Sequence, residues 1–370
     1  MNNKNKIVFI TDALDCGGAQ KMMSFVINTI SFLFDEVHVI LCSEKEVFYE
    51  LPKNAFVHYC KCENNKKTLK VWNDIKTFLF IKRFLEQFVQ NHAINTVCTF
   101  GYYYTSIAMM IKKKTGINII SSERRSPMDL KLFWRTVTKI VYKKCDYMVF
   151  QLDEVKNYYK MSKNANAFVI PNPYIPKTIS NNPCKPSNRR KAIAIAAARL
   201  EFEKGFDIAI KAMSIVNKRY PDYCLEVYGE GDFEKMYRRI INRCNLQNVV
   251  SYKGLSKDII SDIFDASIFA LPSRNEGIPN MLLEALGAGI PCVACDCNPG
   301  GAKMLLNSNQ RGILVGKEDY KSLAEAIMKI LADNSLSERL SNAAISVKDD
   351  FSLTSIEKKW IDVFKKTLIS

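Results

Sequence analysis

Two glutamates, Glu276 and Glu284, stand eight positions apart around a turn and an apolar run. Gly277 and Pro279 make the turn, and 280–286 has the spacing of a helix. Proline fits a first helical turn, where its missing N–H is not needed. The free backbone N–H groups of such a helix start favour an anion, above all a phosphate. One carboxylate is then placed beside whatever the helix end binds. The second lies a turn or more inside the helix, on a face shared with Asn280. A phosphate-bearing ligand with hydroxyl groups at both ends suits that layout.

Arg199, Lys204 and Gly205 follow the apolar strand-like run 192–198. Arg forks two oxygens and Lys acts as a point charge, so this loop suits a diphosphate. Taken alone, the loop reads better as a solvated charged turn. A position facing the Glu276 loop favours the diphosphate. Gly229 and Gly231 follow another strand like the start of a dinucleotide fingerprint, but Glu234 stands where the third glycine belongs. A tight turn lining the cleft is the simpler reading. Gly17 and Gly18 follow the first strand and either let a ligand approach the backbone or serve a turn of positive φ. Cys292, Cys295 and Cys297 have a metal-like spacing without a fourth ligand nearby, and read as core. His38, His58 and His92 lie in strand-like or helix-end contexts, none placed for acid–base work. The chain has no Asp-x-Asp for a divalent metal, no phosphate loop of the ATPase type and no nucleophile elbow.

These residues need elements to hold them. A buried strand at 6–11, the Gly17–Gly18 turn and a helix to Ile30 open a doubly wound α/β domain. Further strands are expected at 36–41, 55–59, 96–100, 118–121, 147–150 and 167–170, with helices at 69–89, 106–114 and 130–145. A proline-rich polar stretch, 171–190, interrupts the pattern. After it come strands at 192–198, 223–228, 249–252, 268–271 and 292–294. Helices are expected at 206–218, 233–244, 257–264, 280–286, 320–332 and 336–344. The organisation expected is a first domain over 1–175, a linker over 176–190 and a second domain over 191–350. A terminal helix, 351–370, packs back towards the first domain. Two such domains leave a cleft faced by the carboxyl ends of their strands.

Length, at 370 residues, suits two domains, and no apolar run reaches the roughly 18 residues of a membrane span. The polar start and short apolar run that follows do not make a signal peptide, so a cytoplasmic protein is expected. Net charge is +15, and residues 66–144 hold sixteen Lys and Arg against four Asp and Glu. Such a surface seeks phosphate in a nucleic acid, an anionic membrane or a substrate. The stretches 70–84 and 130–144 mix aromatics with Lys and Arg, which suits a membrane surface as well as an ordinary helix with a solvated face.

Taken together, the chain resembles the retaining glycosyltransferases of family 4, which have the GT-B fold of two doubly wound Rossmann-like domains facing a cleft. The resemblance runs over nearly the whole chain. It rests on Gly17 to Gln20, the Arg199 to Gly205 loop, Tyr228 to Gly231, Lys253 to Leu255 and the Glu276–Glu284 pair. Residues 122–127 and Asp296–Cys297 resemble a bacterial subgroup that extends lipid-linked oligosaccharides for surface polysaccharides or glycoproteins.

The resemblance implies that Arg199 and Lys204 hold the donor diphosphate and stabilise the departing nucleotide. Gly17 and Gly18 join the donor-binding set, with Gly229 and Leu283. Backbone at Gly277, Ile278, Pro279 and Asn280 contacts the sugar and phosphate. Glu276 faces the sugar hydroxyls, Glu284 accepts from the ribose diol, and Leu255 lies near the base, expected to be uracil. Many members carry a catalytic histidine after a strand of the first domain. Glu123 and Arg124 stand in that region here and are the candidates for its role. Near Gly300–Gly301, Lys303 and Met304 stand where many relatives have a glutamate.

The expected activity moves a hexose or N-acetylhexosamine from a UDP-sugar to a polyprenyl-diphosphate-linked or other glycan acceptor. No cofactor, metal or nucleic acid is expected. Residues 66–144 would meet the inner face of the cytoplasmic membrane peripherally. A nucleotide-sugar epimerase of the same fold and an inactive membrane-associated scaffold are the alternatives.

Overall fold

The computed structural model describes residues 5–15, 17–61, 70–176, 183–231 and 233–369. The core of the expected linker, 177–182, and the start of the basic stretch, 66–69, lie outside the described residues. The chain divides into two compact units, residues 1–171 with 354–370 and residues 172–353.

The first unit is built on seven strands: β1 Lys6–Thr11, β2 Glu36–Leu41, β3 Ala55–Tyr59, β4 Thr96–Phe100, β5 Asn118–Glu123, β6 Tyr147–Phe150 and β7 Ala167–Val169. They pair in the order β3-β2-β1-β4-β5-β6-β7, every pair parallel. A parallel sheet is covered on both faces, so its strands are apolar on both sides. β1 shows this residue by residue. Ile7 and Phe9 join one core, and Val8 and Ile10 join the opposite one. The Ile7 side is covered by helix Gly18–Ile30 through Val26, Ile27 and Ile30, and by the terminal helix Leu353–Ile369 through Ile356, Trp360, Val363 and Phe364. The Val8 side is covered by helices Lys70–Asn91 and Tyr102–Thr115 through Leu85, Phe88, Ile107 and Ile111. The latter helix stops at Gly116, whose φ of 71° and N–H bond to the Lys112 carbonyl make a left-handed cap.

The second unit carries six strands: β8 Arg190–Arg199, β9 Cys224–Glu230, β10 Val250–Gly254, β11 Ala266–Leu271, β12 Cys292–Cys295 and β13 Ile313–Val315. Their order is β10-β9-β8-β11-β12-β13, again all parallel. The order reverses between β8 and β11, which makes the carboxyl ends of these two neighbours the switch point of the sheet.

Several boundaries differ from expectation. The helix expected over 130–145 is shorter at both ends, Leu132–Lys143, and a 3-10 turn, Pro127–Asp129, precedes it. Helix 106–114 starts earlier, at Tyr102, because Gly101 at φ 85° turns the chain directly out of β4. Pro279 stands at the N-cap with an extended backbone, one residue before the helix Asn280–Gly287 rather than within its first turn. Short elements passed unread: helices Asp153–Tyr158, Gly301–Leu306 and Val347–Asp350, and β13. Among the described residues no helix is long and apolar enough to cross a membrane.

The three histidines, scattered in sequence, meet in the first unit. His38 Nδ1 and His58 Nε2 are 3.0 Å apart, and His38 Nε2 is 3.2 Å from Glu36, which also pairs with Lys6 at 2.8 Å. The His92 ring lies 5.3 Å from His38 and 5.8 Å from His58, and stacks on Phe88 at 4.0 Å. Burial lowers the His38 and His58 imidazoles from their ordinary 6.5, and the neighbouring imidazoles add to it. For His38, Glu36 pulls the other way. With folded values lowered, the stability this cluster contributes is complete above the unfolded imidazole value and is lost as pH falls through the folded values. The melting temperature should therefore fall between pH 7.5 and pH 5, and His58→Gln should flatten that slope. An unchanged slope in the variant assigns the acid sensitivity elsewhere.

Candidate functional site

In the second unit, both switch-point strands end in loops that carry the sequence-identified charges. β8 ends at Arg199, and the 3-10 turn Phe202–Lys204 follows. β11 ends at Leu271, and Ser273 to Pro279 lead into helix Asn280–Gly287. Lys204 Nζ donates to Glu276 Oε1 at 2.8 Å, and Ser273 Oγ donates to the same oxygen at 3.0 Å. The two residues are 72 positions apart in sequence, and the parallel order brings them together.

Gly205 makes the approach possible. Its φ is 68°, and a Cβ there would lie 2.0 Å from the Pro272 carbonyl oxygen, so only glycine lets the two loops touch. Gly229 serves a similar purpose inside the sheet: at φ 139°, its Cβ would meet the Ala197 carbonyl oxygen at 2.0 Å. That close strand packing accounts for Gly229 without a ligand.

The Glu276 loop is fixed from three sides. Its backbone N–H donates to the Asn298 carbonyl at 3.0 Å. The Arg274 N–H donates to the Glu203 carbonyl at 2.7 Å. Asn172, buried, donates to Asn280 Oδ1 at 2.6 Å and to the Ile278 carbonyl at 3.4 Å. Arg274 forks both oxygens of Asp207 at 2.8 Å, and burial, which would raise the Asp207 carboxyl, is outweighed by Arg274 and Lys211, so the acid is held below its ordinary value. The Asp207 hydrogen bonds raise the Arg274 guanidinium in turn. Asn172, Asp207, Arg274 and Asn298 escaped sequence reasoning. Only Arg274 carried a signal, a cation two residues before Glu276.

The other candidates of this unit fall in distinct environments. Arg199 is exposed and 3.4 Å from Glu201. Leu255, just beyond β10, is half exposed. Gly277 and Asn280 are part-exposed at the helix start. Ile278, Pro279 and Leu283 are buried. Glu284 is buried a turn into the helix, and burial, with Glu284 adding, raises the Tyr174 phenol. Cys292, Cys295 and Cys297 are buried, and burial pushes the Cys295 and Cys297 thiols up to about 12. Among the described residues no group of three His, Cys, Asp or Glu is set to hold a metal ion.

The remaining candidates belong to the first unit. Gly17 is the N-cap of helix Gly18–Ile30 with φ −77° and ψ 157°, an extended conformation open to any residue, so positive φ does not explain it. Gly18 is exposed at the first helical position. Glu123 closes β5 and is buried. Its Oε1 accepts the Arg124 and Arg125 N–H groups at 2.9 Å, and its Oε2 accepts the Tyr142 hydroxyl. Burial raises this carboxyl, and the hydrogen bonds oppose the rise. Arg124 is also buried, donating to the Ile170 carbonyl at 3.1 Å with its guanidinium over the Phe100 and Trp360 rings, and burial lowers it to about 9. Both side chains are engaged in the interior of their unit.

Residues 181–347 match the family model described as Glycosyl transferases group 1. An uncharacterized glycosyltransferase of Haemophilus influenzae is 25% identical over 219 residues, which span 58% of this chain and 60% of that protein. A Campylobacter jejuni enzyme named GalNAc-alpha-(1->4)-GalNAc-alpha-(1->3)-diNAcBac-PP-undecaprenol alpha-1,4-N-acetyl-D-galactosaminyltransferase is 25% identical over 96% of this chain and 97% of its own. The solved structure of sucrose-phosphate synthase from Thermosynechococcus elongatus superposes with a TM-score of 0.83 at 14% identity, covering 99% of this chain and 100% of that one. The chain thus has the GT-B fold of two Rossmann-like domains, and its residues 181–347 carry a glycosyl transferases group 1 domain.

Proposed function

We propose that this chain is a retaining hexosyltransferase of family 4. It moves a hexose or N-acetylhexosamine from a UDP-sugar to a polyprenyl-diphosphate-linked or other glycan acceptor. The observation that carries the proposal is the Lys204–Glu276 contact of 2.8 Å at the switch point of a domain matching the glycosyltransferase model. The Campylobacter jejuni relative, named for a diphospho-undecaprenol-linked acceptor and aligned over nearly the whole chain, supports the acceptor class.

In this reading Lys204 exchanges Glu276 for the donor diphosphate, and Arg199 closes on the same group. Backbone N–H groups at the start of helix Asn280–Gly287 add their dipoles. This fixed positive field stabilises the charge that grows on the leaving diphosphate as the anomeric C–O bond breaks. Glu276, released from Lys204, faces the sugar hydroxyls and supports positive charge at the anomeric carbon. The acceptor hydroxyl attacks from the side the diphosphate leaves, its proton passing to the leaving phosphate oxygen, and configuration is retained. Glu284 takes the ribose diol and Leu255 the uracil face. No step calls on a metal. The test is a panel of nucleotide sugars scored by thermal stabilisation and turnover. A uridine sugar should stand out.

The basic stretch supports a peripheral membrane site as part of this proposal. Helix Leu132–Lys143 exposes Leu132, Phe133 and Ile140, with Lys131 and Lys139 beside them and Met128 exposed in the preceding turn. An exposed apolar face on a helix that also carries cations suits an anionic lipid surface. The chain should co-sediment with phosphatidylglycerol vesicles at low salt and be released at high salt. Phe133→Ser should weaken that binding and leave donor turnover in solution unchanged. Indifference to anionic vesicles at low salt rules the surface out.

A further inference from the structure

We infer that Arg274 is a positioning residue that sets the separation of Lys204 and Glu276. This rests on the proposed function for its kinetic expression and on geometry for its existence. Arg274 is buried in the loop after β11, two residues before Glu276. Its guanidinium reaches three segments. Nη1 and Nη2 fork Asp207, in the first turn of helix Phe206–Arg219, at 2.8 Å each. Nη1 also donates to the Phe202 carbonyl at 2.7 Å, and the guanidinium lies 3.8 Å over the Phe202 ring. Nε donates to Glu318, in the turn before helix Tyr320–Ala332. The backbone N–H of Arg274 binds the Glu203 carbonyl.

The turn that Arg274 grips from Phe202 to Asp207 is the one that carries Lys204. It is held by four separate contacts to one residue of the loop that carries Glu276. Lysine cannot reproduce them, because it presents a point charge without a planar fork and lacks the flat face that stacks on Phe202. The Arg274 guanidinium and N–H are bound to Asp207, Phe202, Glu318 and Glu203, so its influence on chemistry passes through Lys204 and Glu276. A catalytic group displaced by about 1 Å loses on the order of 100-fold in rate.

The test is a double-mutant cycle of Arg274→Lys and Lys204→Ala in the full chain, with a UDP-sugar that the wild type turns over. Arg274→Lys should lower kcat by about 100-fold with KM for the donor changed far less. In the Lys204→Ala background the same change should cost far less, because one of the two groups whose separation it sets is gone. Asp207→Asn, which withdraws the forked partner from the other side, should repeat the pattern. Hydrogen exchange supplies a readout that needs no substrate: Arg274→Lys should speed exchange at the Lys204 and Arg274 amides together, while the core strands of the same unit stay protected. Normal kcat in Arg274→Lys, full additivity with Lys204→Ala, or unchanged exchange at both amides would overturn the inference. A wild type that turns over no nucleotide sugar refutes the proposed function instead, and the exchange result then decides the positioning role alone.

Discussion

Lys204→Ala is expected to lower sugar transfer by about 100- to 1,000-fold, the usual effect of removing one preorganised electrostatic group, while the fold survives. Lys204 is a part-exposed side chain on a short turn, paired with Glu276. Losing it leaves Glu276 with Ser273 and access to solvent, so little stability is at stake. The kinetic signature should divide between the two partners. Lys204→Ala removes the cation assigned to the diphosphate, and should both raise KM for the donor and lower kcat. Glu276→Gln removes negative charge at the sugar, but leaves Lys204 with no carboxylate competing for it. Donor affinity should then hold or improve while kcat collapses. Loss of affinity in Glu276→Gln with normal kcat would exchange the two roles.

Trp360→Ala is expected to cost the first unit about 3–5 kcal/mol, the range for deleting a fully buried large aromatic. Trp360 has no exposed surface, lies parallel to Phe100 at 6.4 Å, contacts Phe364 at 6.1 Å and has the Arg124 guanidinium 5.2 Å above it. Removing the indole opens a cavity between the terminal helix and the sheet, and strips Arg124 of part of its apolar cover. Such a loss is a large fraction of the roughly 5–15 kcal/mol that holds an ordinary domain together. Urea unfolding followed by circular dichroism should show the midpoint of one transition falling sharply. Trp360→Phe should recover part of it. A shift no larger than that of a surface substitution would mean that the terminal helix contributes little to the first unit.

The sheets were legible because buried parallel strands are continuous apolar runs. Most strands of the first sheet begin and end within a residue or two of the runs read from sequence. The elements that escaped are short. β13 has three residues and helix Gly301–Leu306 six, too few to show a period. The candidate loops stand out by residue type, since Arg199, Lys204, Glu276 and Asn280 follow strands or open a helix. Their supports do not, because Asp207 meets Arg274 across 67 positions and Asn172 meets Asn280 across 108. The histidines illustrate the same limit. Each sat in an unremarkable local context, and only the pairing of β2 with β3 and the end of helix Lys70–Asn91 brings them together.

The central claim is that the switch point of the second unit takes a nucleotide sugar through Lys204 and Glu276. The most direct measurement is turnover of a nucleotide-sugar panel by the wild type, Lys204→Ala and Glu276→Gln, with free nucleotide followed in each. A uridine sugar turned over by the wild type and slowed at least about 100-fold in both variants is the result expected. Equal turnover in all three proteins, or a wild type indifferent to every nucleotide sugar offered, would contradict it.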